Sequence, residues 1–275
     1  MTKARPLTIN QLSAMKRDGE KIAMLTCYDA TFARAMDRAG IDIVLVGDSL
    51  GMVVQGRATT VGVDVDEVAY HVECVSRGLG RCFLLADLPF GSYHDQPTAM
   101  HSAVTLMSAG AAMVKLEGAG PMIEIVEYLT ARAVPVCAHL GLTPQSVHQL
   151  GGFRVQARDD AAAQQLLSDA LALQQAGAQL LVVECVPSVL GRELAAALEI
   201  PVIGIGAGAG CDGQVLVMHD MLGLGPGLGS DSGLAVDAPK FVANFMSGAD
   251  SVQGAFEAFC LAVREGSFPA PQHEY

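Results

Sequence analysis

The chain reads as a closed parallel (β/α)8 barrel, an α/β fold of the TIM-barrel type, and three observations predict it. From residue 20 onward, short β-rich runs alternate with amphipathic helical stretches. The runs are nearly continuous in apolar residues, as in a parallel sheet covered on both faces. Four of them end in an acid, at Asp48, Asp87, Glu117 and Glu184. Carboxylates rarely end an apolar run unless a cation or a proton-transfer role holds them. In a barrel such strand ends converge on one mouth. An open doubly wound sheet fits eight such units less well.

The elements follow in order. KIAMLTC (21–27) is the first expected strand, and ATFARAMDRAG (30–40) is the helix after it, closing on Gly. DIVLVGD (42–48) and CFLLAD (82–87) are the next strands, separated by the helical VDEVAYHVECVSRG (65–78). TAMHSAVTLMSAG (98–110) leads into MVKLE (113–117), and IEIVEYLTARA (123–133) into VPVCAHL (134–140). TPQSVHQLGGFRVQARDDA (143–161) is then a long loop, and long βα loops on barrels are functional or lid-like. The helical AAAQQLLSDALALQQAG (161–177) precedes LLVVEC (180–185), and VLGRELAAALE (189–199) precedes PVIGIG (201–206). An eighth strand is expected around QVLVMHD (214–220). AGIDIV, AGAAMVK and AGAQLLVV look like one helix-to-strand joint used three times. The tail from about residue 238 adds one or two C-terminal helices and ends in FPAPQHEY. With no linker-like stretch inside, residues 1–275 are expected to form a single domain.

Composition excludes several partner classes. Half the chain is hydrophobic (51%), enough for a large core, and the net charge is −12. An acidic chain without a basic run is a poor binder of nucleic acid or anionic membrane. No apolar stretch approaches the roughly 20 residues of a membrane span, and the N-terminal segment lacks an apolar leader centre. The seven cysteines are odd in number and form no C-x-x-C pair. They read as reduced core thiols of a cytoplasmic protein.

Strand alternation brings the charges together. Asp48 is expected to share a face with Val46 and Val44, Asp87 with Leu85 and Phe83, and Glu184 with Val182 and Leu180. Lys115 and Glu117 stand two apart and project to one side. Four carboxylates at one mouth repel, and Lys115 with a divalent cation relieves them. All-oxygen ligands favour a hard ion, Mg2+ first. Each residue also has a plain structural reading. Asp48 and Asp87 suit turn starts, Lys115 and Glu117 an ion pair, Glu184 a cap, and His139 in AHLG a hydrogen-bonded core histidine. His71, His94, His101 and His148 carry no comparable context. GIGAGAGCDG (204–213) matches a dinucleotide fingerprint only loosely, and no acid closing a second strand follows it. A Gly-rich turn after strand seven lets backbone approach a ligand or a neighbouring loop.

These segments resemble the ketopantoate hydroxymethyltransferase family. The likeness is carried by KIAMLTCYDATFA, VGDSLGMVVQG, ADLPFGSY, AGAAMVKLEG, HLGLTPQSVHQLGGFRVQ, LVVECVP, IGIGAGAGCDGQVLVMHDMLGL and GSFP, in family order. The resemblance implies a barrel of the phosphoenolpyruvate/pyruvate-binding type, one Mg2+ per subunit, and 5,10-methylenetetrahydrofolate as one-carbon donor to a small keto acid. It implies a homodecamer of two pentameric rings. By motif, Asp48 and Asp87 bind the metal and touch substrate, and Glu117 joins the metal set through water. Ser49 and Lys115 contact the keto acid, His139 sits by the site, and Glu184 is the base. Two departures stand out. Gly91 in PFGSY replaces an expected larger residue, and GPGLGSDSGLAVDAPKF (225–241) is longer and richer in Gly than expected. The competing readings are a metal-dependent C–C lyase or mutase acting on another α-keto acid, a non-catalytic metabolite-binding barrel, and a dehydrogenase.

Overall fold

The computed structural model describes residues 5–225 and 239–275. Eight parallel strands close in sequence order: β1 (Ile22–Thr26), β2 (Ile43–Val46), β3 (Phe83–Asp87), β4 (Met113–Glu117), β5 (Val136–Gly141), β6 (Leu180–Glu184), β7 (Val202–Ile205) and β8 (Gly213–Leu216). Closure comes from β8 pairing back onto β1, with Ile22 opposite Gly213 and Met24 opposite Val215. Apart from the strand ends, nearly every strand residue is buried, because side chains fill the barrel and helices cover its outside.

The helices arise where apolar periodicity and caps coincide. They are α2 (Ala30–Ala39), α4 (Val65–Ser76), α5 (Gln96–Ala109), α6 (Pro121–Thr130), α8 (Asp160–Gln175) and α9 (Ser188–Ala197), preceded by α1 (Ile9–Asp18). Asp29, Asp64, Asp95 and Asp159 each accept a backbone N–H as N-caps, which satisfies donors the helix leaves open. The thrice-used joint has one backbone cause. Gly40, Gly110 and Gly177 take φ of 85°, 125° and 104°, a left-handed exit that L side chains resist.

Three features differ from, or add to, the sequence expectation. The helix α1 went unforeseen, although Thr8 and Gln11 form a capping box at its start. It lies against the N-terminal end of the barrel, where Lys16 Nζ binds Asp212 Oδ2 and the Ala195 carbonyl, both at 2.7 Å. The eighth strand stops at Leu216, and residues expected to continue it turn into the short helix α10 (Met218–Met221). No helix separates β7 from β8; the Gly-rich run makes that connection, and a Cβ on Gly213 would lie 2.3 Å from the Ile22 carbonyl oxygen. Close packing of backbone explains the run without a dinucleotide.

The βα loops after β2 and β5 carry short helices, α3 (Leu50–Val53) and α7 (Val147–Leu150), the latter preceded by a 3-10 turn at Pro144–Ser146. Beyond the barrel, α11 (Val252–Glu265) packs on α2 and β1, and one 3-10 turn follows at Pro271–His273. Phe259 of α11 packs with Phe245 and Phe268, the rings edge to face or tilted. Most of the Gly-rich segment noted at 225–241 lies outside the described residues.

Candidate active site

A cavity of about 210 Å³ opens at the C-terminal ends of the strands, and Asp48, Asp87, Lys115, Glu117, His139 and Glu184 all line it. Register explains most of this convergence, since residues side by side in a parallel sheet point the same way. Asp87 stands opposite Lys115 across β3 and β4, and Glu117 opposite His139 across β4 and β5. Glu184 ends β6 with Val182, also a cavity residue, two positions before it. A wider groove of about 690 Å³ lies at the opposite end, against α1. Three of its charges pair with one another, buried Asp42 lying 2.5 Å from Arg81 and 3.4 Å from Arg264, whereas the mouth gathers the strand-end acids and is the candidate site.

Asp48 arrives by a route that alternation does not give, which corrects the expectation that it shares a face with Val44 and Val46. Leu45 is the cavity residue of β2, opposite Leu85, which shares the face of Asp87. The strand ends at Val46, and Ser49 is already in helical conformation at φ −52° and ψ −18°. The turn, and not strand parity, carries Asp48 inward. Its backbone N–H donates to Asp87 Oδ2 at 3.1 Å, tying the two acids together.

The charges form one connected group. Lys115 Nζ lies 3.0 Å from Asp87 Oδ1 and 3.8 Å from Glu117 Oε1. The imidazole of His139 bridges two acids, with Nδ1 3.2 Å from Glu117 Oε1 and Nε2 3.3 Å from Glu184 Oε2. With Nδ1–H given to Glu117, the 3.3 Å approach of Lys115 to that nitrogen is a contact between two donors. Asp48, Asp87, Lys115, Glu117 and His139 are all buried.

Burial and like charge set the protonation. Burial, then the charges of Asp87 and Glu117, hold the Asp48 carboxyl well above its ordinary value; Lys115 and Gln145 oppose them. Burial also raises Asp87, against the pull of Lys115. For Glu117, burial is outweighed by His139, Lys115 and the Gln145 N–H, and its carboxyl is lowered. Burial and Lys115 push His139 down, yet Glu117 and Glu184 carry it up to about 9. Lys115 is raised, because three carboxylates overrule its burial. Four acids thus face two cations, and the two most strained acids are Asp48 and Asp87.

Ser49 lines the same cavity, its Oγ 2.8 Å from the Tyr28 hydroxyl. Glu184 is held from behind by backbone. Gly141 packs so closely that a Cβ would lie 2.2 Å from the Glu184 carbonyl oxygen. Cys185 takes φ 48°, rare for a residue with a side chain, and its N–H donates to the Ile205 carbonyl at 2.8 Å. Such strain concentrates where a site must be held in place.

Sequence reasoning missed two residues here. Gln145 and Tyr93 are buried; Gln145 is bonded to Asp48 and Glu117, and Tyr93 to Gln145 and to the Glu117 backbone N–H. Both fall inside the quoted motifs HLGLTPQS and ADLPFGSY, but an amide and a phenol in a loop give no periodic or charge signal. Gly91, the departure in PFGSY, has φ 78° in the turn that precedes Tyr93. Its side-chain-free backbone suits that turn.

Fold and mouth together define a (β/α)8-barrel enzyme whose strand ends gather four acids, a lysine and a histidine. Phosphoenolpyruvate phosphomutase from Streptomyces platensis subsp. rosaceus shares the fold, with a TM-score of 0.59 at 17% identity over 78% of this chain and 82% of that one. Phosphonopyruvate hydrolase in complex with oxalate and Mg++ aligns with a TM-score of 0.56 at 13% identity, over 77% and 81%. Sequence narrows the class. The family described as ketopantoate hydroxymethyltransferase matches residues 6–271. The 3-methyl-2-oxobutanoate hydroxymethyltransferase of Thiobacillus denitrificans is 55% identical over 271 residues, covering 98% of this chain and 100% of that protein. The chain belongs to the ketopantoate hydroxymethyltransferase family.

Proposed function

We propose that this protein transfers a hydroxymethyl group from 5,10-methylenetetrahydrofolate to 3-methyl-2-oxobutanoate, in the biosynthesis of pantothenate and coenzyme A. Water completes the balance: the products are 2-dehydropantoate and tetrahydrofolate. One observation carries the reading beyond family membership. Glu184, at the rim of the cavity, faces a group of buried acids that carry more negative charge than Lys115 and His139 offset.

That surplus fits a hard divalent cation on Asp48 and Asp87. Asp87 Oδ1 is buried without a well-directed hydrogen bond, and Asp48 spends only Oδ2 on Gln145. Among the described residues no three His, Cys, Asp or Glu side chains converge as a closed cage. An ion held by one or two carboxylates and completed by substrate and water needs none. Glu117 has both oxygens engaged, by His139 and by the Gln145 N–H, so it would reach the ion through water. Bound there, one Mg2+ per subunit would supply Lewis acidity toward the carboxylate and ketone oxygens of the keto acid.

The remaining work belongs to the chain. Lys115 places its positive charge beside the acids, where a keto acid's negative charge grows as the proton leaves. The Ser49 hydroxyl, held 2.8 Å from that of Tyr28, contacts the keto acid. Val182, Ile205, Val215 and Phe241 form an apolar wall that suits a branched alkyl group. Glu184 takes the C3 proton, and His139 Nε2 beside it orients the carboxylate. A cytoplasmic homodecamer completes the reading. The seven cysteines are free, and no helix among the described residues is long and apolar enough to cross a membrane.

The deciding experiment is exchange of the C3 proton of 3-methyl-2-oxobutanoate for deuterium, followed by NMR with Mg2+ and without folate. The parent exchanges, and then forms 2-dehydropantoate once the folate is added. Glu184→Gln keeps size and hydrogen bonding and should lose exchange by about 10²–10⁴. Exchange at the parental rate in that variant would take the base role from Glu184.

A further inference from the structure

We propose that Gln145, oriented by Tyr93, is a positioning residue that fixes which oxygen Asp48 presents to the cation; the inference rests on the metal reading above. The side chain enters the mouth from the 3-10 turn after β5 and is buried. Its Nε2 donates to Asp48 Oδ2 at 2.8 Å and to the Leu88 carbonyl at 3.0 Å. Its Oε1 accepts from the Tyr93 hydroxyl at 2.5 Å, and its backbone N–H donates to Glu117 Oε2 at 3.0 Å.

The direction of the amide is forced by chemistry. On one side the Leu88 carbonyl can only accept, so the NH2 must face it, and Asp48 Oδ2 accepts the second N–H. The Tyr93 hydroxyl then has to donate to the other end. Turning the amide over would set its oxygen against the Leu88 carbonyl and Asp48 Oδ2 and break both of those bonds in a buried place, where unmade bonds are costly.

The consequence is a division of oxygens. One residue occupies Oδ2 of Asp48 with its side chain and Oε2 of Glu117 with its backbone. Asp48 is left with Oδ1 for a ligand in the cavity it lines. Without the amide, Asp48 would lose the bond that fixes its carboxylate and could rotate. Partners that orient metal ligands in this way typically carry about 10–100-fold in metal affinity or activity.

The test uses the full-length protein, Mn2+ as the probe ion, and calorimetric titration with no substrate present. Gln145→Met keeps length and apolar packing but removes the donor, and its Mn2+ affinity should fall about 10–100-fold. Tyr93→Phe, which removes one hydroxyl and touches no acid side chain, should shift affinity in the same direction by less. In C3 exchange, Gln145→Met should recover at saturating metal, whereas Glu184→Gln should not. Parental Mn2+ affinity in Tyr93→Phe together with folded Gln145→Met overturns the positioning role while leaving the metal reading intact. If Gln145→Met does not fold, parental affinity in Tyr93→Phe alone overturns it. A parent that binds no Mn2+ overturns both.

Discussion

Lys115→Met tests the charge balance of the mouth directly. The substitution keeps the length of the side chain and removes its charge. Nζ lies 3.0 Å from Asp87 Oδ1 and 3.8 Å from Glu117 Oε1. At an effective dielectric of about 20 those approaches are worth about 5 and about 4 kcal/mol. Releasing a buried ammonium from its desolvation cost returns several kcal/mol. The net loss should be about 3–5 kcal/mol, as when one partner of a buried pair is removed, or roughly 10 °C in Tm.

The sign with pH follows from the acids. Burial raises Asp87, and Lys115 is the leading influence against it. Removing Lys115 therefore lifts Asp87 further. An acid raised in the folded state costs stability above its unfolded pKa, and that cost disappears as pH falls below it. Thermal unfolding of metal-free parent and variant should therefore differ most at neutral pH and converge on acidification. Keto-acid affinity and turnover should also drop together in the variant. An equal loss of stability at neutral and mildly acidic pH would refute the electrostatic reasoning and reduce Lys115 to packing.

Two further outcomes follow from the same geometry. Asp48→Ala and Asp87→Ala should each abolish Mg2+-dependent binding of the keto acid while the barrel still folds, because these tip residues contribute little apolar packing; calorimetry and near-UV circular dichroism check both halves. Gly141→Ala would set a Cβ 2.2 Å from the Glu184 carbonyl at φ 89°, so C3 exchange should fall more than Mn2+ affinity, and parental exchange would show that β5 does not hold the base.

Local physics made the barrel and most of its mouth legible in the sequence. Apolar runs, helical periodicity and the repeated Ala-Gly joints are set within a few residues of one another. Alternation alone placed Asp87, Lys115, Glu117 and Glu184 on one side, and β3, β4 and β6 put them there. The family motifs gave candidate roles to the same residues and to Ser49 and His139.

Tertiary structure decided the rest. Asp48 enters through a turn, because its strand ends two residues early and alternation stops applying. The place of α1 depends on Lys16 reaching Asp212 and Ala195, nearly two hundred residues away in sequence. No local pattern encodes a contact of that separation. Gln145 and Tyr93 gain meaning only when the loops after β5 and β3 meet over Asp48 and Glu117. A strand-end carboxylate announces itself because burying its charge is costly wherever it stands. A neutral amide does not, since its value lies wholly in the partners that closure of the barrel brings to it.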